Sequence, residues 1–457
     1  MPELLRTTTL PGHTAQALWD WHAAPGAFNR LVPPWTRLRL EGPAPALEDG
    51  TEAHLRLGLG PLSWAWTARH RDCHPGQGFI DEAVRGPFTR WVHEHSFRDD
   101  AGGAVLQDRI DYQLPAGPLG QLVAGGFVRR ELDRTFTWRH HRTRDDLDRH
   151  RGVRPQTVAV TGATGLVGQA LCTFLTTGGH RVVPLVRRQA RQGEIAWDPA
   201  KGTLDPEDLR SIDAVIHLAG ENVAQPWTAA ARARIRDSRV QGTSLLAQAI
   251  ARCSVPPKVL VSCSAIGLYG HEPAQVDESS PIGAGFLAEV VAAWEGAADP
   301  AREAGVRVVH PRVGIVQSLR GGALAKQLPA FQLGLGGPIG GGAQGVSWVG
   351  LDDLVDLLYL AMHDERLDGP FNAVSPNPVD QRTYARTLGQ ALGRPAVLPV
   401  PAFALRAVLG EMADEMLLGG AFVHPRRLEA LGFTWRHPTL SQALASELGH
   451  PEVPHGT

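Results

Sequence analysis

The chain has 457 residues, 43% hydrophobic and 20% charged, with a formal net charge of -2. That length calls for two or three domains rather than one core. The near-neutral charge gives no electrostatic case for nucleic acid or an anionic membrane surface, and no apolar run is long enough to span a bilayer.

The opening MPELLRTTTLPG carries no apolar signal core. The four cysteines, Cys73, Cys172, Cys253 and Cys263, form neither a CxxC pair nor a metal spacing. A cytoplasmic protein with buried, reduced thiols is therefore expected. Strand-like alternation follows in the first half. TEAHLRLGLG places Ala53, Leu55, Leu57 and Leu59 on one face, PLSWAWTARH does so for Leu62, Trp64, Trp66 and Ala68, and VLQDRIDYQL for Leu106, Ile110, Tyr112 and Leu114. GFVRRELDRTFTWRHHR then repeats Val128, Leu132 and Phe136 every four residues, along one side of a helix. Strands wrapped over a long terminal helix would enclose an aromatic-rich interior. Trp19, Trp21, Trp64, Trp66 and Trp91 can either line a cavity for an apolar ligand or fill a small core. In WVHEHSF, His93 and His95 share a strand face in a spacing that could seat a metal, but no third ligand is evident. The pair reads as a wet face, and no metal is expected. The charged stretch HHRTRDDLDRHRGVRPQ reads as a linker, or as a frayed helix end running into one.

From Thr157 short β-branched runs (TVAVTG, HRVVPLV, DAVIHLAG, KVLVSCSA, VRVVHPRVG) alternate with helical patterns, the texture of a parallel sheet covered on both faces. VAVTGATGLVG is a buried strand, a tight turn and a helix start, with Gly162, Gly165 and Gly168 in TGxxGxxG spacing. Gly162 permits the turn, Gly165 lets the backbone approach a pyrophosphate, and Gly168 lets helix pack on strand. The helix N-terminus offers amides and partial positive charge to phosphates. After the second strand the chain reads PLVRRQA, where an NAD-binding loop commonly has an acidic residue for the ribose. Arg187, with Arg188 beside it, suits a 2′-phosphate, so NADP is expected, with NAD as the alternative.

Residues from about 157 onward resemble the extended and atypical short-chain dehydrogenase/reductases. More narrowly, they resemble the bacterial nucleoside-diphosphate-sugar epimerase-like family. The resemblance rests on VTGATGLVG, VIHLAGENVA, RIRDSRVQGTSLL, SCSAIGLYG, FLAEVVAAWE, GGALAKQLPAFQLGLGGPIG and SWVGLDDLV. The tail GRPAVLPVPAFALRAVLGEMADEMLLGG resembles that family's small C-terminal domain, and the N-terminal part resembles the START-like (SRPBCC, polyketide cyclase-type) domains. The implied architecture is an α+β helix-grip START-like domain over 1–150. An α/β Rossmann-type doubly wound parallel sheet follows over 156–390, and a small C-terminal domain over 391–457. The resemblance carries cofactor contacts onto Thr161, Gly162, Thr164, Gly165, Leu166, Val167 and Gly168, and onto Leu218, Ala219 and Gly220 of HLAG. It makes Ser264 the hydroxyl that helps polarise a substrate carbonyl.

One departure bears on activity. Where relatives have a YxxxK pair, this chain has Phe286 and Val290, which cannot exchange a proton. A second is Gly350 in SWVGLDDL, at a position often His in relatives. Tyr269, close to Ser264 at the end of a predicted strand, is the alternative acid/base, with Glu289 and Glu221 as further candidates. Two functions stay open. One is an NADP(H)-binding, epimerase-like oxidoreductase acting on a carbonyl or sugar-nucleotide-type small molecule. The other is a non-catalytic dinucleotide-binding redox sensor or ligand carrier, with an apolar ligand in the START-like domain.

Overall fold

Apolar residues at every second position need a sheet with one covered face, and the N-terminal unit supplies it. The computed structural model describes residues 2–59 and 62–450. The Leu59 side chain and the end of the expected C-terminal domain lie outside the described residues. After β1 (Glu3–Leu10) come α1 (Ala15–Ala23), α2 (Ala27–Leu31), β2 (Arg37–Leu40) and β3 (Glu52–Leu59). Then follow β4 (Leu62–His74), β5 (Gly78–Arg85), β6 (Arg90–Asp100), β7 (Gly103–Gln113) and α3 (Gly117–His150). The antiparallel strand order is β1-β7-β6-β5-β4-β3-β2, and α3 packs on β1 and β7.

The charged stretch from His140 is not a linker: α3 continues to His150, with His140, Arg142, Thr143, Asp146 and Leu147 buried. One of its charges is paired deep inside the domain: Arg30 of α2 grips Asp146 through Nε and Nη2 at 2.7 and 2.5 Å. Partnered charges, rather than an apolar stripe, hold this end of the helix down.

Two apolar clusters fill the interior of this unit. One contains Leu10, Trp19, Trp21, Phe79, Phe97 and Leu106; the other Trp91, Ile110, Tyr112 and Phe136, with Trp66 against it. A polar band interrupts them. Along β6 the inward side chains run Trp91, His93, His95, Phe97, and all are buried. The expected wet face at His93 and His95 is thus corrected: they are 3% and 5% exposed and point inward.

The second unit begins at Gln156. Its elements are β8 (Thr157–Thr161), α4 (Leu166–Thr177, of which the part up to Cys172 belongs to this unit), β9 (Arg181–Val186), β10 (Ile195–Ala196), β11 (Ala214–His217) and α5 (Ala229–Arg252). Next come β12 (Val259–Ser262), β13 (Ser264–Ala265), β14 (Gln275–Val276), α6 (Phe286–Gly296), α7 (Asp299–Glu303) and β15 (Arg307–Val313). Beyond these lie β16 (Ile315–Gln317), α8 (Gly322–Gln332), β17 (Gly345–Val346), β18 (Trp348–Gly350), α9 (Leu351–His363) and β19 (Gly369–Ala373). The parallel sheet runs β10-β9-β8-β11-β12-β15, with β13 and β19 also pairing β15. Val158, Ala159, Val160, Val215, Ile216, Leu260, Val261, Val308 and Val309 are completely buried, as strands covered on both faces require. Strand order reverses between β8 and β11, so a crevice opens beyond their carboxyl ends. Residues 391–445 join the same unit, with Phe422–Val423 pairing β14.

Candidate functional site

The glycine loop stands at that crevice. Gly162 has a φ of +68°, a left-handed turn, and a Cβ there would lie 3.0 Å from the Ala219 nitrogen. At Gly168 a Cβ would come within 2.2 Å of the Gly162 carbonyl oxygen, so helix and loop pack backbone to backbone. Gly165 is exposed, and its Cβ would meet only that same oxygen, at 3.3 Å. Thr164 is exposed, and Leu166 and Val167 are half-buried. Gly165 N donates to Gly162 O, and the first helical bond runs from Gln169 N to Gly165 O. The amides of Leu166, Val167 and Gly168 therefore open the helix without intrahelical partners, the arrangement that receives a diphosphate. The cradle fits a dinucleotide because the positions a Cβ would fill carry none.

Thr161 works behind the loop. It is fully buried, and its Oγ1 accepts from Leu218 N at 3.0 Å and Ala219 N at 3.1 Å. Its own proton goes to His217 Nδ1, 2.7 Å away. Burial pushes His217 down to about 4, with Arg239 adding to the effect, so the ring is neutral. Thr161 thus ties the glycine loop to the HLAG segment, where Leu218 and Ala219 are half-buried and Gly220 is exposed. The two arginines after β9 part company. Arg188 is held by Glu194 through two bonds of 2.7 and 2.6 Å. Arg187 is exposed and meets no hydrogen-bond or ion-pair partner among the described residues.

Ser264 and Tyr269 belong to one polar network. Ser264, 3% exposed, donates from Oγ to Glu295 Oε1 at 2.5 Å. Arg312, opposite Ser264 in the β13–β15 register, grips Glu295 from Nε and Nη2 at 2.9 and 3.0 Å. Its Nη1 donates to the Tyr269 hydroxyl at 3.0 Å, which in turn donates to Asn372 Oδ1 at 2.7 Å. Burial pushes the Glu295 carboxyl up, but Arg312 and Ser264 outweigh it and hold it below the usual range. For Tyr269 burial wins over Arg312, and the phenol is raised. Sequence reading missed Glu295, Arg312 and Asn372. The available signals were an arginine inside the apolar strand VRVVHPRVG and a glutamate closing FLAEVVAAWE.

The start of α6 holds no proton carrier. Phe286 and Val290 are buried with Ile235, and Val223, Trp227 and Leu287 pack against them. The Arg232 guanidinium lies over the Phe286 ring at 4.3 Å. Glu415 caps this end, accepting from Phe286 N and Leu287 N at 2.8 and 2.9 Å. Glu289 is exposed, whereas Glu221 accepts from Gln225 Nε2 at 3.1 Å. Neither joins the Ser264 network among the described residues. Gly350 is buried at the end of β18, where a Cβ would meet Asp353 Oδ2 at 3.3 Å.

The chain is similar to epimerase family protein Mb2239 of Mycobacterium bovis, 40% identical over 64% of this chain and 98% of that protein. The chain belongs to the epimerase family. Residues 158–373 match the NAD dependent epimerase/dehydratase family, residues 11–138 the polyketide cyclase / dehydrase and lipid transport family, and residues 400–447 a domain of unknown function (DUF1731). A crystal structure of a nucleoside-diphosphate sugar epimerase from Corynebacterium glutamicum aligns with a TM-score of 0.80 at 32% identity, covering 99% of this chain and 91% of that one. Human epimerase family protein SDR39U1, solved with NADPH, aligns with a TM-score of 0.58 at 36% identity, covering 64% of this chain and 99% of that one. The Rossmann unit of this epimerase-family chain is thus of the nicotinamide dinucleotide-binding kind, joined to a START-like domain. No helix among the described residues is long and apolar enough to cross a membrane.

Proposed function

We propose that this chain is an NADP(H)-dependent, epimerase-like oxidoreductase that handles its substrate proton through Ser264 and Glu295 in place of a Tyr/Lys pair. The observation that carries the reading is the Ser264 Oγ–H aimed at a carboxylate that Arg312 keeps ionised. The glycine loop with Leu218, Ala219 and Gly220 would hold the dinucleotide. When bound, it would take or give the hydride. With its proton hydrogen-bonded to Glu295, Ser264 Oγ offers lone pairs to a substrate hydroxyl. That hydroxyl's proton moves to Oγ as the Ser264 proton moves to Glu295 Oε1, and the same path returns it in reduction. Arg312 positions the carboxylate. Tyr269, its proton committed to Asn372, is a positioning residue for Arg312.

The substrate class is a carbonyl or sugar-nucleotide-type small molecule, in line with the name of the Corynebacterium relative. The cysteines are all unpaired, which suits a reducing cytoplasm, but only Cys253 and Cys263 are buried as expected; Cys73 and Cys172 are half-buried. The lipid-transport relatives of residues 11–138 support an apolar ligand for that domain. Arg187 selects the cofactor. Arg187→Ala is expected to weaken NADPH binding about tenfold and leave NADH binding unchanged, as read by nicotinamide fluorescence. Equal losses for both nucleotides would remove Arg187 from that role.

The acid limb of the rate tests the relay. In the direction of alcohol oxidation Glu295 must start ionised, and its carboxyl lies below the usual range. Activity should therefore hold from neutrality down through the ordinary glutamate value of about 4.3 and fall only below it. Arg312→Gln removes the main opposition to burial, so the limb should move to higher pH; a limb that stays put argues against the relay. The overall experiment follows nicotinamide absorbance with NADPH or NADP⁺ across UDP-sugars, ketones and secondary alcohols. Tight NADPH binding without turnover across that panel would favour the second reading, a non-catalytic redox sensor or ligand carrier. Buried Phe286 and Val290 are the observation behind that alternative.

A further inference from the structure

We propose that Asp81, His93 and His95 form a binding site for a divalent first-row transition ion inside the START-like domain. These residues come from adjacent strands: Asp81 of β5 pairs with His93 of β6, and His95 stands two residues further along. One ligand atom from each lies within 4.8 Å of the others. An ion with four tetrahedral bonds of about 2.1 Å separates its ligands by about 3.4 Å. His95 Nε2 and Asp81 Oδ2 already stand 3.4 Å apart. Closing the rest of the triangle takes movements on the order of 1 Å. Two imidazole nitrogens and one carboxylate oxygen suit zinc and its first-row neighbours, and leave a fourth position for water or a ligand.

The surroundings are those of a metal site's outer layer. A ligating histidine normally gives its second ring nitrogen to a carboxylate, which fixes the ring and its tautomer. Here Asp108 Oδ1 receives His93 Nε2 at 3.1 Å, and Asp108 Oδ2 receives His140 Nε2 at 2.8 Å. His140 is anchored in turn by Thr8 Oγ1 at 2.8 Å. Asp81 Oδ1 takes His70 Nδ1 at 2.6 Å, which leaves Oδ2 turned toward His95. Phe79 stacks on the His95 ring with centroids 4.1 Å apart, setting its plane. Among the described residues no hydrogen bond reaches His93 Nδ1. His95 Nδ1 is ion-paired with Asp108 Oδ1 at 2.8 Å, without the alignment of a hydrogen bond. Asp81 and Asp108 both converge on His95, at 3.4 and 2.8 Å, and a protonated His95 alone balances only one of the two carboxylates. A divalent ion would balance the two carboxylates.

The test uses the full-length chain stripped of metal with a chelator. Calorimetry with Zn²⁺ should show one ion bound per chain, and Co²⁺ should give the visible absorption of a four-coordinate site. Asp81→Asn and His95→Gln should each weaken Zn²⁺ binding about 100-fold or more, and Asp108→Asn by about 10- to 100-fold. NADPH binding should stay unchanged in all three variants. Anomalous diffraction at the zinc edge from wild-type crystals locates the ion without any substitution. No Zn²⁺ heat and no Co²⁺ spectrum with the wild-type chain would overturn the proposal. So would an anomalous peak elsewhere, or folded Asp81→Asn and His95→Gln variants that bind like the wild type.

Discussion

Ser264→Ala should lower kcat by about 10²- to 10⁴-fold, the range for loss of a positioned proton-transfer group, while leaving NADPH affinity within about twofold. The asymmetry follows from the geometry. Ser264 sits at the start of β13 and spends its hydroxyl on Glu295, apart from the loop at residues 161–168. Glu295 keeps both Arg312 contacts when the hydroxyl is gone, so the fold should tolerate the change. Ser264→Thr restores a hydroxyl and should recover part of the rate. Wild-type turnover in the alanine variant would dismiss the Ser264–Glu295 relay outright.

Gly168→Ala should abolish measurable NADPH binding, a loss of about 100-fold or more, and destabilise the Rossmann unit by about 1–3 kcal/mol. The added methyl would lie 2.2 Å from the Gly162 oxygen and 2.8 Å from the Ala163 Cα, both backbone atoms that cannot swing aside. Relief means opening the loop, and an open loop no longer gathers its amides around a diphosphate. Gly165→Ala separates the two effects. Its methyl would meet only one atom, at 3.3 Å, and it faces outward, so the melting temperature should stay near the wild-type value while NADPH affinity falls. Unchanged affinity in Gly168→Ala would show that this turn does not carry the cofactor.

What could be read ahead of the structure depended on how local each signal was. The glycine turn is written in eight consecutive residues, and the parallel, doubly covered sheet behind it follows from alternating short apolar strands and helices. Strand alternation likewise gave the inward face of β7 and, at Ala53 and Leu55, that of β3. The Ser264 network could not be read this way, because it gathers groups from β13, α6, β15 and β19 that lie far apart in the chain. Arg187 and Arg188 look alike in sequence; only the position of Glu194 tells the engaged arginine from the unengaged one. The histidine pair on β6 reads as a solvated face in sequence because its third partner, Asp81, belongs to the neighbouring strand. The stretch after His140 misled for a related reason. Charges normally mark solvent, and here they are paired inside the domain.

The carboxylate of Glu415 on the first two amides of α6 makes the tail of the chain a mechanical support for the helix that carries Glu295, and so for the proposed relay. That helix is a rod of 11 residues, about 16 Å long, with Glu295 near its far end. A lesion around residue 415 would thus be felt as a misaimed carboxylate beside Ser264, so loss of activity after clipping the tail need not mean that the tail touches substrate.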